Sequence, residues 1–250
     1  MTIVRIAMCM GNAGISGWFD MKSIVSKCLT GIAISLGVLI ALIILFILPP
    51  IGRHYYIPSM SMAPNLMPGD LIYSSNFGYT FSSDKLPLRG DIITFKPEAA
   101  RQIFIKRTIG LPGDKVQMRR GRLYLNDVLI ERKSKGTERL SHHYKNESYV
   151  YSLYEEQFSR DIYSFQILEK NDTERLDNTK KVTVPKGYVF VMGDNRDHSF
   201  DSRVAVYSGG AGIVPIENII GEVKYILVPS KSCKNDEGLF CPKRNFFHKL

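Results

Sequence analysis

The feature that most constrains this chain is the run Leu29–Leu48. It is apolar throughout, interrupted only by Thr30, Ser35 and two glycines. At ~1.5 Å per residue, about 20 residues of helix cross the roughly 30 Å hydrocarbon core of a bilayer. A buried core helix would carry polar residues along one face, and none appear. A cleaved leader would have a shorter apolar core and small residues at its end, whereas this run ends in Pro49-Pro50. The run is therefore read as one retained transmembrane anchor. Lys22 and Lys27 precede it and Arg53 and His54 follow it, a slight bias toward a cytoplasmic N-terminus. Residues 1–28 are then a cytoplasmic tail, starting at Met1 or Met21, and everything from about Ile51 lies outside.

Beyond the anchor, short β-type runs alternate with turn residues. Leu71–Ser74 follows Pro68-Gly69-Asp70, and Asp91–Lys96 follows Arg89-Gly90. Ile103–Leu111 stops at Pro112-Gly113-Asp114. Arg122–Leu125 and Val128–Ile130 flank Asn126-Asp127, a two-residue hairpin signal. Lys181–Val184, Tyr188–Met192 and Ile219–Val228 complete the set. The spacing predicts a mainly β ectodomain. Residues 132–180 are polar with scattered aromatics and read as an inserted lobe, so that 51–131 and 181–229 make the principal domain. Residues 230–250 form a basic tail.

The formal net charge is +9 over 250 residues. A basic balance calls for an anionic partner. No zinc-knuckle spacing, phosphate loop or aromatic-basic repeat points to nucleic acid, so the phospholipid bilayer is the expected partner. Cys233 and Cys241 could close a small disulfide loop in an oxidising compartment. Only His248 lies near them, so no metal is expected, nor any other cofactor. The sequons at Asn146 and Asn171 would matter only in a eukaryotic secretory route.

Three stretches carry candidate chemistry. Ser61 lies between Pro58 and Pro64, which stiffen the backbone and disfavour helix. Lys106 alternates with Phe104 and Thr108 on one face of an apolar strand, with Ile105, Arg107 and Ile109 on the other. Burial there would lower its pKa and free an amine to take a proton from serine. Taken alone, each has a plain alternative, a turn serine and a lysine whose head reaches water. The third stretch is Gly193-Asp-Asn-Arg-Asp-His-Ser-Phe-Asp-Ser-Arg203, dense in short polar groups after an apolar strand.

Five stretches in order resemble the type I signal peptidase family, membrane-anchored serine proteases of the Ser-Lys class. They are Ser59-Met-Ser-Met-Ala-Pro64, Leu66-Met-Pro-Gly-Asp70, Arg89-Gly-Asp-Ile-Ile93, Ile105-Lys-Arg-Thr-Ile-Gly-Leu-Pro-Gly-Asp114 and the Gly193–Arg203 stretch. The resemblance implies an antiparallel β ectodomain with a smaller inserted β lobe. It implies Ser61 as nucleophile, Lys106 as general base, and Ser59 with the Ser61 backbone N–H as oxyanion hole. Ser199 would orient the lysine, and Asp201 and Arg203 would brace the site. Ile57, Met62, Leu66, Ile93, Phe95 and Ile105 are candidates for shallow pockets that take small residues. The implied partners are precursor proteins carrying signal peptides, with the export machinery as a further one. The implied location is a bacterial inner membrane, catalytic domain on the periplasmic side. A specialised pilin or conjugation maturase, or a non-catalytic tethered β-rich binding protein, are the competing readings. Ser82-Ser-Asp-Lys85 matches the Ser-x-x-Lys pattern of penicillin-recognising enzymes but lacks its partner motifs.

Overall fold

The structure is a computed structural model. It describes residues 16–47, 52–76, 86–97, 102–142, 147–158, 164–230, 242 and 245–250. Pro49-Pro50, the aromatic stretch Phe77–Phe81, Ser82–Lys85, Asn146, Cys233 and Cys241 lie outside the described residues. The chain forms two compact units, Met1–Pro49 and Pro50–Leu250.

The first unit contains one helix, α1 (Ser16–Ile47). Its window Ile24–Leu42 is long and apolar enough, by length and composition, to cross a membrane. The helix starts well before the expected Leu29, because Lys22 and Lys27 do not break helical geometry. The polar groups in the run are satisfied internally. Thr30 Oγ1 donates to Ser26 O at 2.7 Å and Ser35 Oγ to Ile32 O at 2.8 Å. That removes the desolvation penalty a hydroxyl would otherwise suffer in hydrocarbon.

The second unit is built from antiparallel sheet. Its strands are β1 (Gly52–Tyr56), β2 (Leu71–Ser75), β3 (Ile92–Phe95), β4 (Phe104–Gly110), β5 (Lys115–Arg119), β6 (Arg122–Leu125) and β7 (Val128–Leu129). There follow β8 (Glu131–His142), β9 (Glu147–Gln157), β10 (Ser164–Glu169), β11 (Val182–Thr183), β12 (Tyr188–Met192), β13 (Val214–Pro215), β14 (Ile219–Val228) and β15 (His248–Lys249). The largest sheet runs β1-β2-β14-β3-β4-β12-β13, with β15 on β14. β8–β10 form a three-stranded sheet, and β11-β5-β6-β7 a four-stranded one. Among the described residues the ectodomain is therefore mainly β. Part of the C-terminal segment, expected as a tail, adds β15 to the main sheet.

Turn chemistry sets these registers. Asn126 and Asp127 both take positive φ, 54° and 66°, the mirror-image turn a tight hairpin requires. Asp114 closes the Pro112-Gly113 turn by accepting from Leu111 N at 2.7 Å and from Arg89 Nη2 at 2.8 Å. Asp70 does the same for its own turn, accepting from Met67 N at 2.7 Å. Ile57 and Asp70 close the loop between β1 and β2 through Ile57 N to Asp70 O at 2.9 Å and Gly69 N to Ile57 O at 2.8 Å.

Apolar packing fills four clusters. The segment expected to lie outside the central core contributes to two of them. Leu140, Tyr151, Leu153 and Leu168 pack on Met60, Ala63 and Met67, and Phe165 and Ile167 join β4, β5, β6 and β12. The loop that carries Ser61 thus rests on the three-stranded sheet. Each fully buried Leu or Ile there contributes about 2–5 kcal/mol against truncation to alanine.

Candidate active site

Ser61 sits in the middle of a single 3-10 turn, Met60–Met62. Three residues of helix appear where an irregular loop was expected, and Pro64 stops it from growing. Met60 and Met62 bury their side chains to either side while Ser61 stays partly exposed. The hydroxyl is thereby pushed out on a loop whose flanks cannot move without opening the core. From below, Asn195 N donates to Ser61 O at 3.2 Å. Gly193 makes that approach possible. A Cβ there would lie 2.4 Å from Ser61 O and 2.3 Å from Ser199 Oγ, closer than any side chain tolerates.

Lys106 reaches the same point from β4. Its Nζ lies 2.9 Å from Ser61 Oγ and 3.0 Å from Ile105 O. The side chain is 5 % exposed. Burial lowers its pKa from 10.5 to about 8, and the negative charges of Asp201 and Asp194 oppose that shift without cancelling it. A neutral amine in this place still has hydrogens to give Ile105 O. Its lone pair is then free for the Ser61 hydroxyl. Ser59 Oγ donates to Ser61 Oγ at 3.2 Å, so two hydroxyls and one amine converge within hydrogen-bond reach.

Asp201 and Arg203 form a fully buried pair. Arg203 Nε donates to Asp201 Oδ1 at 2.9 Å and Nη2 to Oδ2 at 2.8 Å. Burial pushes the Asp201 carboxyl up, but Arg203 and the Gly193 N–H, which donates to Oδ2 at 3.0 Å, pull it down further, and the net shift is downward. The pair thus holds the glycine that Ser61 rests on. Ser199 Oγ is buried beside the site and has no hydrogen-bond partner among the described residues, while Lys106 Nζ bonds to Ser61 and Ile105.

Sequence reasoning overlooked Arg107, Asp194 and Asn65. Arg107 Nε and Nη2 each donate to Asp194 at 2.7 Å, and Asn65 Nδ2 donates to Asp194 Oδ2 at 2.8 Å. This buried clamp ties β4, the Ser61 loop and the Gly193 stretch together. Its signal was in plain sight: a second cation directly after Lys106, and an acid directly after Gly193.

The site opens into a cleft of about 510 Å³. Of the pocket candidates, Ile57, Met62 and Ile105 line it. Leu66, Ile93 and Phe95 do not; all three are fully buried. Leu66 packs beneath Ile57 and Met62, and Ile93 and Phe95 belong to a different cluster behind β4. Alternation along β3 could not reveal that both of its faces are covered. Gln102, Ile103, Phe104 and Phe200 line the cleft, as does the 174–176 segment, which no sequence signal linked to the site. Among the described residues no three His, Cys, Asp or Glu side chains gather as a metal site.

The family model described as signal peptidase, peptidase S26, matches residues 30–228. Signal peptidase I of Rickettsia typhi is 34 % identical over 206 residues, covering 72 % of this chain and 74 % of that protein. The Rickettsia felis and Rickettsia prowazekii proteins of the same name are 34 % and 33 % identical, each over 204 residues and 72 % of this chain, covering 73 % and 74 % of their own. A crystal structure of a signal peptidase I from Enterococcus faecalis V583 is 31 % identical and covers 55 % of this chain and 97 % of its own, with a TM-score of 0.31. On the extent of the family-model match and of the Rickettsia relatives, the chain belongs to the signal peptidase family, peptidase S26.

Proposed function

We propose that this protein is a membrane-anchored serine endopeptidase that removes signal peptides from exported precursors, with Ser61 as nucleophile and Lys106 as general base. The observation that carries the reading is the 2.9 Å contact between a buried lysine amine and a serine hydroxyl. Lys106 Nζ takes the Oγ proton, and Oγ bonds to the scissile carbonyl carbon. The oxygen that becomes negative is met by the Ser59 hydroxyl and the Ser61 backbone N–H. One such donor is typically worth ~3–4 kcal/mol in the transition state. As the C–N bond breaks, the Lys106 ammonium returns its proton to the departing amine of the mature protein. An ester of the signal peptide remains on Ser61. Lys106 then deprotonates a water that attacks the ester, releasing the signal peptide carboxylate and restoring the hydroxyl. The apolar wall of Ile57, Met62 and Ile105 suits small apolar residues before the cleaved bond.

The anchor α1 keeps the enzyme in the bilayer that holds its substrates. A cytoplasmic N-terminus in a bacterial inner membrane, with the catalytic unit on the outer side, accords with Lys22 and Lys27.

The test uses full-length protein in detergent with a precursor whose signal peptide ends Ala-x-Ala. Ser61→Ala and Lys106→Ala should each lower processing by roughly 10⁴-fold or more, with circular dichroism unchanged. Processing that survives either change overturns the assignment.

A further inference from the structure

Part of the lining of the cleft is charged. Glu174, Arg175 and Leu176 line it together with Asp197. The acids there are engaged. Glu174 pairs with Lys170 at 3.7 Å, and Asp197 Oδ2 accepts from Lys170 N at 2.7 Å. Arg175 is exposed and has no carboxylate within ion-pair distance among the described residues. Its backbone is held firmly. Asp177, fully buried, accepts from Glu174 N at 2.6 Å and donates its own N–H to Glu174 O at 3.1 Å. Gly121 N donates to Asp177 O at 3.1 Å, and Arg120 N to Asn178 Oδ1 at 3.0 Å. An exposed guanidinium is thus carried on a braced turn, in the lining of a cleft that Ile57, Met62 and Ile105 also line.

We infer that Arg175 is a specificity residue that favours an acidic side chain in the first few residues of the mature segment of a precursor. This rests on the endopeptidase reading above. On that reading the apolar residues Ile57, Met62 and Ile105 take the signal-peptide side of the cleaved bond, which leaves the charged part of the lining for the mature side. An exposed pair of this kind is modest, which fits a filter on substrates rather than a requirement.

The experiment uses the full chain in an uncharged detergent and peptides with one Ala-x-Ala site. Asp, Asn or Lys is placed in turn at each of the positions flanking the cleaved bond. The wild type should favour Asp over Lys by about 2- to 5-fold in kcat/KM, at one mature-side position, mostly through KM. Arg175→Gln should flatten that ratio and Arg175→Glu invert it, and added salt should shrink it. Cleavage with no charge dependence, a dependence that Arg175→Glu leaves unchanged, or one confined to the signal-peptide side each overturns this inference alone. No cleavage even of the Asn peptides overturns the endopeptidase reading itself.

Discussion

Lys106 and Arg107 are neighbours on β4, 5 % and 8 % exposed, and they point to opposite faces of the sheet. Both are cations taken out of water, yet the protein treats them differently. Arg107 meets Asp194 through two charge-assisted bonds, gives a third to Gly90 O at 2.7 Å, and stacks 4.3 Å from the Phe165 ring centroid. Among the described residues Lys106 Nζ meets neutral groups, Ser61 Oγ, Ile105 O and, 5.6 Å from its centroid, the Phe104 ring. Arginine stays charged in proteins and must be matched by an anion, whereas a lysine denied that match can shed its proton. The difference teaches that reactivity here comes from burial without a contact ion pair, and rigidity from burial with one.

The largest effect that would break the comparison concerns Arg107. Asp194→Ala strands its guanidinium in the core and should cost about 3–5 kcal/mol of stability, read by urea unfolding. A loss under about 1 kcal/mol would mean that the pair braces nothing. Lys106→Met should act in the opposite direction, because it removes a desolvated cation. The folded lysine loses its proton near pH 8, the unfolded one near 10.5. Between those values the unfolded chain binds more protons, so native stability climbs as pH rises through that window. At pH 7 the Met variant should therefore be more stable than wild type, by about 3 kcal/mol, and the gap should close toward pH 10.5. A gap that stays constant with pH would remove burial as the cause. The smallest effect is on rate. Log kcat/KM should rise with pH with a slope of about one and level off near pH 8, as expected of a base that works only when neutral. A midpoint near the ordinary lysine value would show an amine that remains solvated in the working enzyme.

The contrast also shows where sequence reading succeeded and where it could not. The strands Arg122–Leu125, Tyr188–Met192 and Ile219–Val228 were legible to the residue, because apolar alternation and flanking turn residues act locally. A β lobe was implied by the resemblance where β8–β10 lie, but none of its strands is readable from the residues themselves. Their polar faces hide the alternation, and the inward aromatics find partners far away in sequence, Tyr151 on the Ser61 loop and Phe165 among residues of β4, β5, β6 and β12. Leu66, Ile93 and Phe95 were misplaced for a related reason. A residue's hydrophobicity indicates that it will be covered, but not whether protein or substrate covers it.

By itself the sequence determined the membrane-length helix, the β character of the rest, the turns at Gly69, Gly113 and Asn126-Asp127, and the identity of the residues able to do chemistry. Those follow from side-chain sterics and hydropathy over a few residues. Only the tertiary structure decided that Ser61 and Lys106 lie 2.9 Å apart, that Gly193 supports the serine, and that Arg107 rather than Lys106 receives the carboxylate. Each of those depends on segments separated by tens of residues being pressed together. Burial, which sets the acidity of the amine, exists only once they are.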